Sequence, residues 1–77
     1  MKLDIPKFRY LFQDLDGEVV ASIYDTYPHD DLNWWQRTDM HIDVCEGKYN
    51  EDWRNTRIDL ETDDYEFEDG ILRRIEK

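Results

Sequence analysis

Two Asp-Gly pairs, each set between runs in which apolar and polar residues alternate, constrain this chain more than any other feature. In YEFEDGILRRI, Tyr65 and Phe67 precede Asp69-Gly70, and Ile71 to Ile75 follow. Asp-Gly tolerates the positive φ angles of a two-residue hairpin turn, so this stretch predicts two antiparallel strands. In the N-terminal half, Phe8, Tyr10 and Phe12 lead into Asp14-Leu15-Asp16-Gly17, and Val19, Ala21 and Ile23 come after it. That pattern predicts a second hairpin. Met40, Ile42 and Val44, interleaved with His41, Asp43 and Cys45, predict a further strand. The segment from Trp53 to Leu60 reads two ways: Ile58 and Leu60 suit a strand, and Asn50 suits the cap of a short helix.

One short helix is expected over Asp30–Arg37, capped by Asp30 or Asp31. Strands are expected near 7–13, 18–26, 39–45, 55–60, 64–68 and 71–76. The fold class is mainly β, or α+β: a small antiparallel sheet of five or six strands in a meander, with barrel-like closure an option, and one short helix. Residues 1–77 form a single domain in this reading. The expected core is Phe8, Tyr10, Phe12, Val19, Ala21, Ile23, Met40, Ile42, Val44, Ile58, Leu60, Phe67, Leu72 and Ile75.

A core built from 77 residues is small, and one of this size rarely supplies more than about 3–5 kcal/mol. Against it stand 20 Asp and Glu with only 10 Lys and Arg, a net charge of −10. That lies beyond the magnitude of about 2–8 suited to a small soluble domain, and self-repulsion works against the compact state. Aromatic residues at 14% set the chain apart from acidic disordered sequences. The charge argues against direct contact with nucleic acid or an anionic membrane and for a basic partner. Cys45 is the only cysteine, so an intrachain disulfide is impossible and a reducing compartment fits. No apolar run has the length of a membrane helix, and MKLDIPKF lacks the apolar core of a secretion signal. The expected location is the cytoplasm.

Candidate chemistry is sparse. Asp14-Leu15-Asp16-Gly17 resembles the nucleophile loop of the haloacid-dehalogenase phosphatases, but Glu18 stands where that loop carries Thr, and the preceding run is not apolar throughout. A calcium loop needs further carboxylates at set spacings and a closing Glu; here Gly17 is followed by Glu-Val-Val-Ala. The segment therefore reads as a turn, with Gly17 at positive φ and Asp14 and Asp16 bonding its backbone. On a regular strand His41 and Cys45 are expected to share a face about 13 Å apart, and no second cysteine closes a zinc site. No Ser has a base and an orienting group patterned beside it, and there is no Gly-rich phosphate cradle. The reading is a protein that is not an enzyme and takes no cofactor or metal.

Acid, by contrast, is concentrated. Seven of the eleven residues from Asp59 to Asp69 are acidic. On a strand, Asp64, Glu66 and Glu68 share a face at about 6.6–6.8 Å spacing, close to two phosphate steps of duplex DNA at about 3.4 Å each. Crowding of these carboxylates is expected to raise their pKa values. A second group, Asp25, Asp30, Asp31 and Asp39, flanks Trp34-Trp35. One of these tryptophans is expected to pack inside and the other to remain partly exposed as an anchor. In size and composition, though in no aligned motif, the chain resembles the small acidic proteins with which phages block host defence, among them DNA-mimicking inhibitors of restriction, CRISPR and repair enzymes. The resemblance implies a viral, anti-CRISPR-like inhibitor or adaptor acting in the host cytoplasm. Its target would be the basic surface of a nucleic-acid-binding protein. The candidate partner-binding residues are Asp30, Asp31, Trp34, Trp35, Asp59, Glu61, Asp63, Asp64, Glu66 and Glu68. The alternative is a small accessory or structural protein whose acidity serves solubility and assembly.

Overall fold

A computed structural model describes residues 3, 5, 7–29 and 31–75. The strands are β1 (Tyr10–Gln13), β2 (Glu18–Ser22), β3 (Pro28–His29), β4 (Trp34–Trp35), β5 (His41–Glu46), β6 (Ile58–Asp59), β7 (Asp64–Glu68) and β8 (Ile71–Ile75), with a single 3-10 turn at Trp53–Asn55. The mainly β, antiparallel reading holds. Its finer topology departs from a simple meander: the largest sheet has four strands in the order β5-β2-β1-β6, and β3-β4 and β7-β8 form separate two-stranded ribbons.

The strands β1 and β2 are central and buried on both faces, because a ribbon covers each side. Leu11, Val19 and Ala21 pack with Ile58 and with Tyr65 and Leu72 of the β7-β8 ribbon. On the opposite face Phe12 and Val20 pack with Trp35 of β4 and Trp53 of the 3-10 turn. Alternation points to one buried face per strand, which is why Leu11 and Val20 are core residues absent from the expected set; Trp35, Trp53 and Tyr65 are also buried. Conversely Ile23, Met40, Ile42 and Ile75 are exposed. Met40 and Ile42 lie at or beside β5, an edge strand with no second neighbour among the described residues.

The β7-β8 hairpin follows the sequence pattern residue for residue, with Glu68 opposite Ile71 and Asp64 opposite Ile75. Asp69 and Gly70 both have positive φ, 55° and 80°, as a type I′ turn requires. The helix expected over Asp30–Arg37 is not formed. Asn33 takes φ 61°, a left-handed value that ends a helix. The carbonyl of His29 accepts the N–H groups of Leu32 and Asn33, and His29 and Pro28 then pair with Trp34 and Trp35. A two-residue strand separates adjacent side chains to opposite faces. That satisfies the demand to bury Trp35 better than a helix, where they lie about 100° apart. Asn50 caps no helix; its side chain accepts the Asp52 N–H in a turn before Trp53.

One buried polar knot ties these layers together. Gln13 is fully buried. Its Nε2 donates to the carbonyls of Gly17 and Gly70, and its Oε1 accepts from Asn50 Nδ2 and the Leu72 N–H, all at 2.8–2.9 Å. Both donors and both lone pairs of the amide are thus used. The chain's three glycines meet here, and a Cβ on Gly47 would strike Gln13 Nε2 and the Gly70 carbonyl. The knot joins the Asp14–Gly17 turn, the loop after β5 and the Asp69-Gly70 turn.

Candidate functional site

The Asp14–Gly17 turn is closed by Asp14 N–H to the Glu18 carbonyl (3.0 Å) and Gly17 N–H to the Asp14 carbonyl (2.9 Å), with Gly17 at φ 102°. Asp16 plays the expected part, accepting the Glu18 N–H at 3.1 Å. Asp14 does more than a solvated turn residue. Its side chain is almost wholly buried, accepts the Trp35 N–H at 2.7 Å, and pairs with Arg37 at 2.5 Å. The turn therefore fastens β4 to the sheet. Asp14, Asp16 and Glu18 bring one carboxylate oxygen each within 4.8 Å of one another. The guanidinium of Arg37 already occupies the Asp14 carboxylate, so any cation there would have to displace it.

Further acid joins this turn from β5. Glu18 lies opposite Glu46, and Val20 opposite Asp43, across a bulge at Val19/Val20. Residues directly opposite share a face, so His41, Asp43 and Glu46 project on one side of β5. Burial first, and the neighbouring Asp43 charge second, push the Glu18 carboxyl above its ordinary value. Among the described residues, no Lys or Arg ion pair reaches Asp16, Glu18, Asp43 or Glu46. Asp16 and Glu18 also line an open depression with Trp34 and Arg37. Trp34 is 47% exposed, and Leu32, Met40 and Ile42 are exposed as well. The face is acidic, with Trp34 beside Asp16 and Glu18, while Ile42 points to the other side of β5.

The stretch from Asp59 to Asp69 is built differently. Arg9 Nη2 lies 3.2 Å from Asp59 and 3.7 Å from Glu61. Asp59 also accepts the Glu61 N–H, and Asp63 accepts the Asp59 N–H. On β7, Asp64, Glu66 and Glu68 share a face as expected, but Arg73 sits opposite Glu66 and pairs with it at 3.2 Å. Asp64 and Glu68 have interactions of their own. The expected crowding is absent at Asp59: the hydrogen bond from Arg9, and then that from the Glu61 N–H, hold that carboxyl below its ordinary value.

Of the sequence-derived candidates, Asp30 lies outside the described residues, and Asp31 is exposed beside Trp34. Trp35 is buried at 2% exposure, its ring edge-on to Trp53 and tilted against Phe12. The tryptophan pair thus divides as expected, one inside and one half-exposed. Asp59, Glu61, Asp63, Asp64, Glu66 and Glu68 lie on or beside β6 and β7, outside β5, although the tip of the β7-β8 hairpin bonds the loop after β5 through Lys48 N–H and the Gly70 carbonyl. The residues that sequence reasoning passed over are Asp16, Glu18, Asp43 and Glu46. A regional tally marks them: residues 14–52 hold eleven acids and two bases, nine of the ten net negative charges.

The chain matches no protein-family model, no curated protein and no solved structure. Among the described residues, no helix is long and apolar enough to cross a membrane.

Proposed function

We propose that the protein is a non-catalytic acidic inhibitor or adaptor that docks on the basic, nucleic-acid-binding surface of a partner protein, in the manner of phage inhibitors of host defence. The docking face is the β5 edge with the Asp14–Gly17 turn: Asp16, Glu18, Asp43 and Glu46 supply charge, and Trp34 supplies an anchor. One observation carries this reading. Nearly all the net charge of the chain falls in residues 14–52. Arg37 and Arg57 pair with Asp14 and Asp25 of this stretch, but among the described residues Asp16, Glu18, Asp43 and Glu46 have no Lys or Arg ion pair, and the half-exposed Trp34 lines a depression with Asp16 and Glu18. A face serving solubility alone has no use for a half-exposed Trp34 beside its acids, since such a side chain lowers solubility. Aromatic anchors inside a charged surround are the usual make-up of a protein interface.

The test is competition. A partner captured from host lysate at low salt should be released by duplex DNA, because both ligands need the same cationic surface. Its affinity should fall as salt screens the interface. Trp34→Ala should weaken binding by about 2 kcal/mol, roughly thirtyfold, without lowering the melting temperature. A partner that binds this protein and DNA at once, or Trp34→Ala binding at full strength, would defeat the reading.

A further inference from the structure

We infer that β5 receives an extended, basic segment of the partner as an added strand, so that the main sheet continues into the complex. This rests on the docking reading above and specifies how that face is used.

Among the described residues β5 is six residues long and pairs only with β2, which leaves its outer backbone groups without a strand partner. The other edge of the sheet, β6, is only two residues long. An edge strand of this length is a template for main-chain pairing unless something guards it. The guard here is charge and a bulge: Asp43 and Glu46 project from β5, and the bulge lies at Val19/Val20. Against a second copy of this chain that guard is effective, because like charges placed opposite each other destabilise a pair of strands. Against a basic strand the same charges attract. The occupant is therefore a cationic segment of another protein.

The two faces of β5 define its pattern. Cross-strand pairing puts His41, Asp43 and Glu46 on one face, where they oppose Ser22, Val20 and Glu18. Ile42 and Cys45, opposite Ala21 and Val19, lie on the other, where Cys45 and Val44 pack against the Leu11 core and Ile42 remains exposed. A strand laid along this edge meets carboxylates on one side and apolar groups on the other. Its matching sequence alternates Arg or Lys with Val or Ile. Main-chain bonds supply affinity in this mode, and alternate side chains supply specificity.

The experiment uses the full chain and two capped octapeptides, one alternating Arg and Val, the other identical but N-methylated over its central four residues. Methylation keeps the charge and removes main-chain donors of both orientations. Binding is followed by Trp fluorescence and by amide hydrogen exchange. Strand addition requires the parent peptide to bind at least tenfold tighter than its methylated analogue, and to slow exchange at His41–Glu46. Equal binding of both peptides would overturn strand addition while leaving the acidic face intact as a purely electrostatic contact. Binding of neither peptide would also overturn it; the docking reading would then stand or fall on the DNA competition alone. Strand addition fails as well if tight binding leaves exchange at β5 unchanged.

Discussion

The chain has two acid-rich regions, and they behave in opposite ways. The stretch from Asp59 to Asp69 has the higher local density, yet Arg9 reaches Asp59 from fifty residues away, and Arg73 faces Glu66 across the hairpin. The β5 edge has its acids scattered through the sequence at Asp16, Glu18, Asp43 and Glu46, and strand pairing gathers them with no arginine among them but Arg37, which is spent on Asp14. A run of acids on paper can be a neutralised lattice in space. A scattered set can become a field. What decides is where the counter-charges fold, and the sheet order sets that.

Both regions hang on Gln13, so its loss should have the largest effect. Gln13→Leu leaves the Leu72 N–H buried without its partner and takes one bond each from the Gly17 and Gly70 carbonyls and the Asn50 amide, which keep the Gly47 N–H, the Lys48 N–H and the Leu72 carbonyl. The unsatisfied N–H costs about 1–3 kcal/mol and each of the three lost bonds about 0.5–1.5 kcal/mol, and a total of about 3–5 kcal/mol would consume the stability of so small a core. Urea titration should show loss of the cooperative transition. A variant that unfolds cooperatively with less than about 1 kcal/mol lost would show that the knot does not join the two regions.

Arginine removal separates them. Arg37→Ala strands the buried Asp14 carboxylate and should cost about 2 kcal/mol, discounted from the fully buried case because Arg37 itself is partly exposed. Arg73→Ala breaks an exposed pair with Glu66 and should cost under about 0.5 kcal/mol. Thermal melts of the two variants give the comparison directly, and equal losses would erase it.

The effect of pH is smaller and opposite in sign in the two regions. Glu18 has a raised folded-state pKa, so the folded chain binds more protons than the unfolded one, and stability rises as pH falls from 7 towards the ordinary Glu value of 4.5. Asp59 has a lowered pKa; its contribution is present above the ordinary Asp value of 3.8 and is lost as pH falls through its folded value. The melting temperature should therefore climb on mild acidification, peak between about pH 4 and 5, and then fall. In Glu18→Gln the climb should be largely gone. A steady decline from pH 7 in both proteins would contradict a raised Glu18 pKa.

The β7-β8 hairpin was legible in the sequence because its determinants are local: a period of two on each side of Asp69-Gly70, whose turn type fixes the register. The Asp14–Gly17 turn was legible for the same reason. What stayed hidden depended on contacts distant in sequence. Asp30–Arg37 carries helix-capping signals, but Trp35 is drawn down onto Phe12 and Trp53, and the Asp14 carboxylate claims its N–H. Leu11 and Val20 looked like the outward members of alternating strands until ribbons covered both faces. The acidic edge was hidden by attention to density. Its signal was the scarcity of Lys and Arg between residues 14 and 52, a pattern visible only over some forty residues.

In the proposed complex the β5 edge, not the Asp59–Asp69 stretch, is the docking face. Two quadruple variants with the same net charge of −6 test it: Asp16→Asn, Glu18→Gln, Asp43→Asn and Glu46→Gln in one, and Glu61→Gln, Asp64→Asn, Glu66→Gln and Glu68→Gln in the other. Equilibrium binding of each to the DNA-displaceable partner is compared with that of the parent chain. The account predicts that the edge variant loses about 3 kcal/mol, on the order of a hundredfold, and most of the salt dependence, while the hairpin variant loses less than about fivefold. Equal losses would mean that only net charge matters, and a larger loss in the hairpin variant would place the docking face on β7.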